Sequence, residues 1–134
     1  MDEFMKHHVS CALLVRAGKV LLVHRSPSRS KFPKVWDLPG GHVEDSENSR
    51  QAIVRELREE LNVEISEPTT EDLLATRQDE NLILEIWRIS SWDGVITNAE
   101  PQEHDDYGWF ALDEAMHLDL VNDAYQALLK QVLA

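Results

Sequence analysis

The stretch "GHVEDSENSRQAIVRELREELNV" (residues 41–63) runs from a loop into a predicted helix over 46–61. Apolar side chains recur every four residues from Ile53 to Leu61, which predicts a buried stripe along one side of the helix. Ser46 is the expected N-cap, with Ser49 and Asp45 as the alternatives, because such a side chain accepts a hydrogen bond from a free N–H group of the first turn. The stretch therefore predicts an amphipathic helix that packs against the rest of the chain.

Three carboxylates lie close together near the end of this helix. Glu56, Glu59 and Glu60 stand at positions i, i+3 and i+4, so they share one face. One interpretation is a solvated charged face, helped by an ion pair between Arg55 and Glu59 one turn on. The other is a site for Mg²⁺ or Mn²⁺, because these cations prefer clustered oxygen ligands and would remove the repulsion between the carboxylates. A Gly-Gly pair just upstream favours the metal site, since its backbone can approach a ligand closely.

Length and composition exclude several classes of protein. The 134 residues predict a single domain over 1–134, and a hydrophobic content of 43% is typical of a globular chain. A net charge of −12 argues against binding duplex nucleic acid, which needs a basic surface. We expect no signal peptide and no membrane span, since no apolar run approaches about 18 residues, so the cytoplasm is the expected location. The lone cysteine, Cys11, is expected to be buried in a strand.

The order of predicted elements is strands, a helix, more strands and a final helix. Apolar, β-branched runs predict strands at 8–16, 19–25, 73–78, 82–91 and 107–112. Ala17-Gly18 predicts a hairpin between the first two strands, and the Pro- and Ser-rich segment 26–36 predicts a loop. The C-terminal stretch 120–134 predicts an amphipathic helix with Val121, Ala124, Leu128 and Val132 toward the core. This order favours an α/β sandwich with a mixed sheet between helices.

At residues 41–63 the sequence resembles the Nudix box. That signature is Gly, five residues, Glu, seven residues, Arg-Glu, an aliphatic residue, any residue, Glu-Glu, any residue, Gly and an aliphatic residue. The positions that match are Gly41, Glu47, Arg55, Glu56, Leu57, Glu59, Glu60 and Val63. Asn62 stands where the family has glycine, and asparagine tolerates the left-handed backbone expected at a helix end. The resemblance implies a MutT-like Nudix hydrolase domain with an α/β/α sandwich fold.

The resemblance also implies an activity and a set of metal ligands. Nudix enzymes hydrolyse a pyrophosphate bond in nucleoside diphosphates linked to another group, with Mg²⁺, or Mn²⁺ in its place, as the expected cofactor. By resemblance, Glu56, Glu59 and Glu60 bind the metal and one of them is the base. The carbonyl of Gly40 and the carboxylate of Glu103 are expected to complete the metal site.

Other residues receive supporting roles from the same resemblance. Gly41 is a fixed position of the box, and Glu47 is expected to pair with Arg55 and orient the helix. The acidic loop around Glu103 also offers Glu100, Asp105 and Asp106. His104 is expected at the surface rather than as a proton carrier.

Substrate recognition is predicted from matches to MutT-type enzymes. Arg25 is expected to contact the nucleotide, with a surface ion pair as the alternative, and Asp37 and Leu38 are expected to line a purine pocket. Further candidates for phosphate contact lie in the following loop: Arg29, Lys31 and Lys34. Asn122 either reads an oxidised purine or caps the last helix. Trp36 either stacks on a base or packs the loop against the sheet.

Marks of other Nudix subgroups are missing, since Gln78 and Asp79 replace the proline of ADP-ribose hydrolases and the tyrosine of diadenosine polyphosphate hydrolases. The predicted substrate is therefore a (deoxy)nucleoside triphosphate such as 8-oxo-dGTP, giving the monophosphate and pyrophosphate.

Three alternatives stay open at this point. One is a hydrolase of ADP-ribose, a nucleotide sugar or a dinucleoside polyphosphate. The second is a non-catalytic domain that senses nucleotides, and the third is an isopentenyl diphosphate isomerase that uses a cysteine. The expected partner is a small nucleotide, with no membrane and no duplex nucleic acid, and the chain is expected to be a monomer or a homodimer.

Overall fold

A computed structural model of the chain describes residues 7–133. Its strands are β1 His7–Arg16, β2 Lys19–Arg25, β3 Trp36–Asp37, β4 Gly40–His42, β5 Leu73–Gln78, β6 Leu82–Ile89 and β7 His104–Phe110. Its α-helices are α1 Ser49–Leu61, α2 Leu112–Ala115 and α3 Ala124–Leu133, and a 3₁₀ turn covers Thr70–Asp72. None of the helices described over these residues is long and apolar enough to cross a membrane.

The strands form one mixed sheet around β1. This strand pairs antiparallel with β2 and β4 and parallel with β6. Strand β2 also pairs with β3 and β7, and β5 lies outside β6. The predicted hairpin at Ala17-Gly18 is confirmed, with φ angles of +52° and +75° that suit a tight turn between twisted strands.

Helices cover both faces of the sheet, which confirms the predicted α/β sandwich. The core on the α1 side includes Ala12, Leu14, Leu21, Val23, Ile53, Leu57 and Leu61. The core on the side of α2 and α3 includes Cys11, Leu13, Val20, Leu22, Leu128 and Leu129. Successive residues of β1 and β2 therefore point into opposite cores, and Cys11 is buried in β1 as predicted.

Helix α1 begins three residues later than predicted. Its N-cap is Asn48 and not Ser46, so the prediction for Ser46 was wrong. The Asn48 side chain accepts a hydrogen bond of 2.9 Å from the Gln51 N–H, and the Gln51 side chain accepts one of 2.9 Å from the Asn48 N–H. This capping box satisfies two free N–H groups at once, which a lone serine further upstream does not.

The same helix ends as the sequence predicts. Asn62 has φ 58° and ψ 39°, a left-handed conformation, and its N–H donates to the carbonyl of Arg58 at 3.1 Å. The asparagine thus occupies the backbone geometry for which a glycine is the usual residue. As a result, the three glutamates lie in the last two turns of a helix with a defined end.

The C-terminal helix is shorter than predicted, because it begins at Ala124 rather than at residue 120. The side chain of Asn122 accepts a hydrogen bond of 2.8 Å from the Ala124 N–H and so precedes the helix. Ala124 is exposed and Tyr125 is buried, so the expected core position lies one residue further on. Residue 134 lies outside the described residues.

Candidate active site

A cleft of about 250 Å³ opens where β2, the strand pair β3 and β4, helix α1 and the start of β7 meet. Most of the predicted site residues line it: Arg25, Asp37, Leu38, Gly40, Gly41, Arg55, Glu56, Glu60 and Glu103. A larger cavity of about 350 Å³, lined by His8, Arg50 and Trp87 among others, contains none of the predicted site residues. The smaller cleft is therefore the candidate active site, because the acidic and basic groups converge there.

Glu60 is the most buried carboxylate of this cleft, with 2% of its surface exposed. Its Oε2 atom accepts a hydrogen bond of 2.8 Å from the N–H of Gly40. Its Oε1 atom lies 3.5 Å from Nε2 of His104. Burial, with the nearby charge of Glu56, raises the pKa of Glu60 well above its usual range. A cation in the cleft would therefore stabilise the charged form of this side chain.

Glu100 and Glu103 bring two more carboxylates to Glu60. One oxygen from each of the three side chains lies within 4.8 Å of the others. The N–H of Glu103 donates to the carbonyl of Glu100 at 3.0 Å, and this turn places both carboxylates on the same side of the loop. Glu103 was predicted for the site, whereas Glu100 was only one of several acidic residues of the loop. Spacing alone could not have selected Glu100, because Asp106 also lies three residues from Glu103.

Arg55 holds the other two glutamates of the helix. Its Nη1 atom donates to Glu56 at 2.8 Å and to Glu59 at 3.1 Å. Its Nη2 atom donates to Glu47 at 2.6 Å and to the carbonyl of His42 at 3.0 Å. The predicted pairs of Arg55 with Glu47 and with Glu59 are both present. Burial nevertheless raises the pKa of Glu56.

The two glycines before the helix fit closely against their neighbours. A Cβ atom on Gly41 would lie 2.7 Å from the carboxylate atoms of Glu56. A Cβ atom on Gly40 would lie 2.2 Å from the carbonyl oxygen of Ser10, and Gly40 has a φ of +148°. A side chain at residue 40 would therefore clash with the backbone of the sheet, whereas one at residue 41 would displace the Glu56 carboxylate.

His104 is buried, so its predicted surface position was wrong. Only 5% of its surface is exposed, because β7 begins at this residue and turns the ring toward Glu60. Burial lowers the pKa of His104 to about 4, with smaller contributions from Arg29 and Arg25. The ring is therefore neutral near pH 7, and it lies between the acidic loop and the helix.

Arg25 lies in the cleft but is engaged by the protein. Its Nη2 atom donates to the carbonyl of Lys31 at 2.8 Å, and its Nε atom donates to that of Phe32 at 2.9 Å. Its Nη1 atom lies 3.3 Å from the Asp37 carboxylate. Asp37 also accepts a hydrogen bond of 2.7 Å from the N–H of Leu38, and burial raises its pKa.

The residues predicted for base recognition are not all in the cleft. Leu38 lines it and is 3% exposed, whereas Asn122 does not line it and accepts a hydrogen bond of 3.3 Å from Arg77. Trp36 contacts Phe110 edge-on, with ring centroids 5.0 Å apart. Trp36 therefore packs against the sheet, as the second of its two predicted roles requires.

The side chains in the cleft fit a divalent cation of the Mg²⁺ type. Their donors are carboxylate oxygens, which hard cations prefer, and three of them already lie within 4.8 Å of one another. Glu56, Glu60 and Glu100 all have raised pKa values, and burial is the largest cause in each case. Bringing positive charge among them would offset this cost.

Comparisons with known proteins agree with the architecture and the site. The model of the NUDIX domain family matches residues 6–131. The chain is 35% identical over 116 residues to the CTP pyrophosphohydrolase of Escherichia coli (strain K12), covering 84% of this chain and 81% of the relative. It is 27% identical over 98 residues to the 8-oxo-dGTP diphosphatase of Proteus vulgaris, covering 72% of this chain and 88% of the relative.

A solved structure gives the same result for the fold. The crystal structure of a MutT NUDIX hydrolase from Burkholderia pseudomallei superposes with a TM-score of 0.80 at 30% sequence identity. The superposition covers 96% of this chain and 98% of that one. The chain therefore belongs to the NUDIX domain family and is a MutT-like Nudix pyrophosphohydrolase.

Proposed function

We propose that this chain hydrolyses (deoxy)nucleoside triphosphates such as 8-oxo-dGTP to the monophosphate and pyrophosphate, with Mg²⁺ as the cofactor and Mn²⁺ as a substitute. The observation that carries the proposal is the meeting of Glu60, Glu100 and Glu103 within 4.8 Å at a cleft that Glu60, Glu103 and three arginines line. Carboxylates that hold a cation beside guanidinium groups are what phosphate transfer needs, because the reaction depends on positioning and charge stabilisation.

The residues of the cleft divide into groups with different tasks. Glu60, Glu100 and Glu103 would hold the metal, with Glu56, Glu59 and the carbonyl of Gly40 as the further ligands expected from the box. When bound, the ion supplies a Lewis acid that activates water and neutralises phosphate charge.

The remaining groups position these ligands and complete the chemistry. One of Glu56, Glu59 and Glu60 accepts the proton of the attacking water in this proposal. Arg55 holds Glu56 and Glu59 in place, since it donates to both carboxylates while Glu47 binds its other side.

The substrate class is supported by the relatives. The proteins from E. coli and P. vulgaris are named for CTP and for 8-oxo-dGTP, and both are nucleoside triphosphates. We propose that Asp37, Leu38 and Asn122 contribute to nucleotide binding, as the sequence predicts, and that Arg25 contributes by supporting the loop after β2. The cytoplasmic location and the monomeric or homodimeric state remain predictions. An ADP-ribose pyrophosphatase from Streptococcus suis has a similar fold at 20% identity, which is support for the fold alone.

A hydrolysis screen tests the proposal. Purified protein with Mg²⁺ would be incubated with 8-oxo-dGTP, dGTP, CTP and ADP-ribose, and the products separated by chromatography. We expect a nucleoside monophosphate and pyrophosphate from at least one triphosphate, and none from the Glu60→Gln variant. If no triphosphate is cleaved with Mg²⁺ or Mn²⁺, or if ADP-ribose is the preferred substrate, the proposed substrate class is wrong.

A further inference from the structure

Three arginines line the acidic cleft, and they differ in how many of their N–H donors the protein already engages. A guanidinium group has five N–H donors. All five donors of Arg55 face acceptors, which are Glu47, Glu56, Glu59 and the carbonyl of His42. An incoming phosphate would have to break one of these contacts to reach Arg55.

Arg25 supports the loop that follows β2. Three of its nitrogens contact the carbonyls of Lys31 and Phe32 and the carboxylate of Asp37. The loop needs this support, because Phe32 and Lys34 have positive φ values of 49° and 63° without being glycine. The N–H of Lys34 also donates to the carbonyl of Arg25 at 2.9 Å. The Arg25 side chain is therefore part of the architecture that shapes the cleft.

Arg29 is the third arginine, and its guanidinium is the least engaged. Its one described side-chain hydrogen bond joins Nη1 to the carbonyl of Glu103 at 3.5 Å, the long limit of such a contact. The backbone of its loop is held nearby, since the N–H of Ser26 donates to the same carbonyl at 2.9 Å. The positive charge of Arg29 acts on the pKa values of Glu100 and His104, so the group lies beside the carboxylate cluster.

A triphosphate in this cleft needs a cation that comes from the protein. The substrate is strongly anionic, the chain has a net charge of −12, and carboxylates surround the place where its phosphates would lie. A metal held by Glu60, Glu100 and Glu103 neutralises part of this charge. A guanidinium with free N–H donors can bind a phosphate oxygen pair in a bidentate way.

We propose that Arg29 binds a phosphate group of the nucleotide substrate, while Arg25 acts as a positioning residue that supports the loop. The inference rests on the proposed function, because it requires a phosphorylated substrate at the carboxylate cluster. It reverses the expectation from the sequence, which favoured Arg25 for this contact.

The test compares Arg29→Gln, Arg29→Lys and Arg25→Gln with the wild type. Arg88→Gln is the matched control, since Arg88 is exposed on β6, lies outside the cleft, and loses the same charge. Hydrolysis of dGTP gives kcat and KM, and calorimetry with the α,β-methylene analogue of dGTP gives the affinity without turnover. Thermal melts report stability, and a Mn²⁺ titration reports the metal site.

We expect Arg29→Gln to weaken binding of the analogue at least about tenfold, because a charge-assisted hydrogen bond to phosphate is lost. Its melting temperature should match that of Arg88→Gln, and its Mn²⁺ affinity should not fall, because the lost positive charge lies beside the carboxylate cluster. Arg29→Lys should recover part of the affinity for the analogue. Arg25→Gln should lower the melting temperature by several degrees, because the loop carbonyls lose their donor.

Two other outcomes would overturn the inference. If Arg29→Gln binds the analogue as well as Arg88→Gln does, Arg29 does not contact the phosphates. If Arg25→Gln loses affinity with an unchanged melting temperature, Arg25 is the phosphate ligand instead. A wild-type protein that binds no analogue and cleaves no triphosphate would instead contradict the proposed function, and the inference with it.

Discussion

The backbone N–H of Gly40 donates a hydrogen bond of 2.8 Å to Oε2 of Glu60, a carboxylate with 2% of its surface exposed. One hydrogen bond does not replace the water that a charged carboxylate loses on burial. The pKa of Glu60 is therefore raised well above its usual range. In the metal-free protein, the ionised form of this side chain destabilises the fold.

We predict that Glu60→Gln stabilises the metal-free protein at pH 7.5 by at least about 1 kcal/mol, because the buried charge is removed. A group with a raised folded pKa contributes stability that is full below its unfolded pKa and is lost as pH rises through the folded pKa. The advantage of Glu60→Gln should therefore disappear near pH 4. Thermal melts in EDTA at the two pH values measure it.

Adding metal provides the second half of this test. Mn²⁺ should raise the melting temperature of the wild type and leave that of Glu60→Gln nearly unchanged. The exposed Glu80→Gln is the control for a change in net charge. An equal response of Glu60→Gln and the wild type to Mn²⁺ would remove Glu60 from the metal site.

Substitution by alanine should affect the stability of the fold very differently at the two adjacent glycines. At Gly40 the new Cβ meets the backbone of Ser10 at 2.2 Å, so Gly40→Ala should cost more than about 2 kcal/mol of stability. At Gly41 it meets the flexible Glu56 carboxylate at 2.7 Å, so Gly41→Ala should change stability by less than about 1 kcal/mol.

Gly41→Ala should be nearly neutral in stability but should reduce catalytic activity. Displacing Glu56 in Gly41→Ala should lower kcat by up to about 100-fold, since small misplacements of a catalytic group have large effects. Urea unfolding and initial rates on one triphosphate measure both quantities. A Gly41→Ala enzyme with normal kcat would mean that Glu56 can shift without affecting the reaction.

The left-handed Asn62 makes a prediction about helix α1. Asn62→Gly should change the free energy of unfolding by less than about 1 kcal/mol, because glycine adopts φ 58° without strain. Asn62→Val should cost about 1–2 kcal/mol, because a β-branched residue is strained there. Urea unfolding of both variants gives the comparison, and equal stabilities would contradict a role for the left-handed backbone.

The helix that carries the glutamates could be predicted because its signals are local. The spacing of Ile53, Leu57 and Leu61 and the tolerance of Asn62 for a left-handed backbone depend on neighbours in sequence. The N-cap also has a local signal, because Asn48 and Gln51 form the Asn-x-x-Gln pattern of a capping box, which is stronger than the lone serine at residue 46.

The rest of the site depends on contacts between distant segments. His104 is buried because β7 pairs with β2 and begins beside Glu60, which no pattern within the acidic loop reveals. Arg25 appeared free for a phosphate because the loop carbonyls that engage it lie six and seven residues away in a segment without periodicity. The burial of His104 and the hydrogen bonds of Arg25 follow from tertiary structure, so composition alone does not predict them.

The final prediction concerns Asn122, which either supports the start of α3 or reads an oxidised purine, and the two roles predict different results. Its Oδ1 atom accepts hydrogen bonds from the Ala124 N–H at 2.8 Å and from Arg77 at 3.3 Å, which leaves its amide N–H donors for a base. Asn122→Ala should lower stability by about 1 kcal/mol, because the hydrogen bond to the first N–H of α3 is lost. If Asn122 reads an oxidised purine, kcat/KM for 8-oxo-dGTP should fall at least about tenfold more than for dGTP.

Asn122→Asp separates the two roles, because aspartate also caps a helix but has no amide donor. It should keep the wild-type melting temperature and still lose the preference for 8-oxo-dGTP, with the Mg²⁺ dependence unchanged in both variants. Steady-state kinetics on the two substrates, together with thermal melts, decide the matter. If Asn122→Asp keeps the wild-type preference and Asn122→Ala slows both substrates equally, Asn122 is a helix cap. Base selection would then lie with residues of the cleft, starting with Asp37 and Leu38, which line it beside the carboxylate cluster.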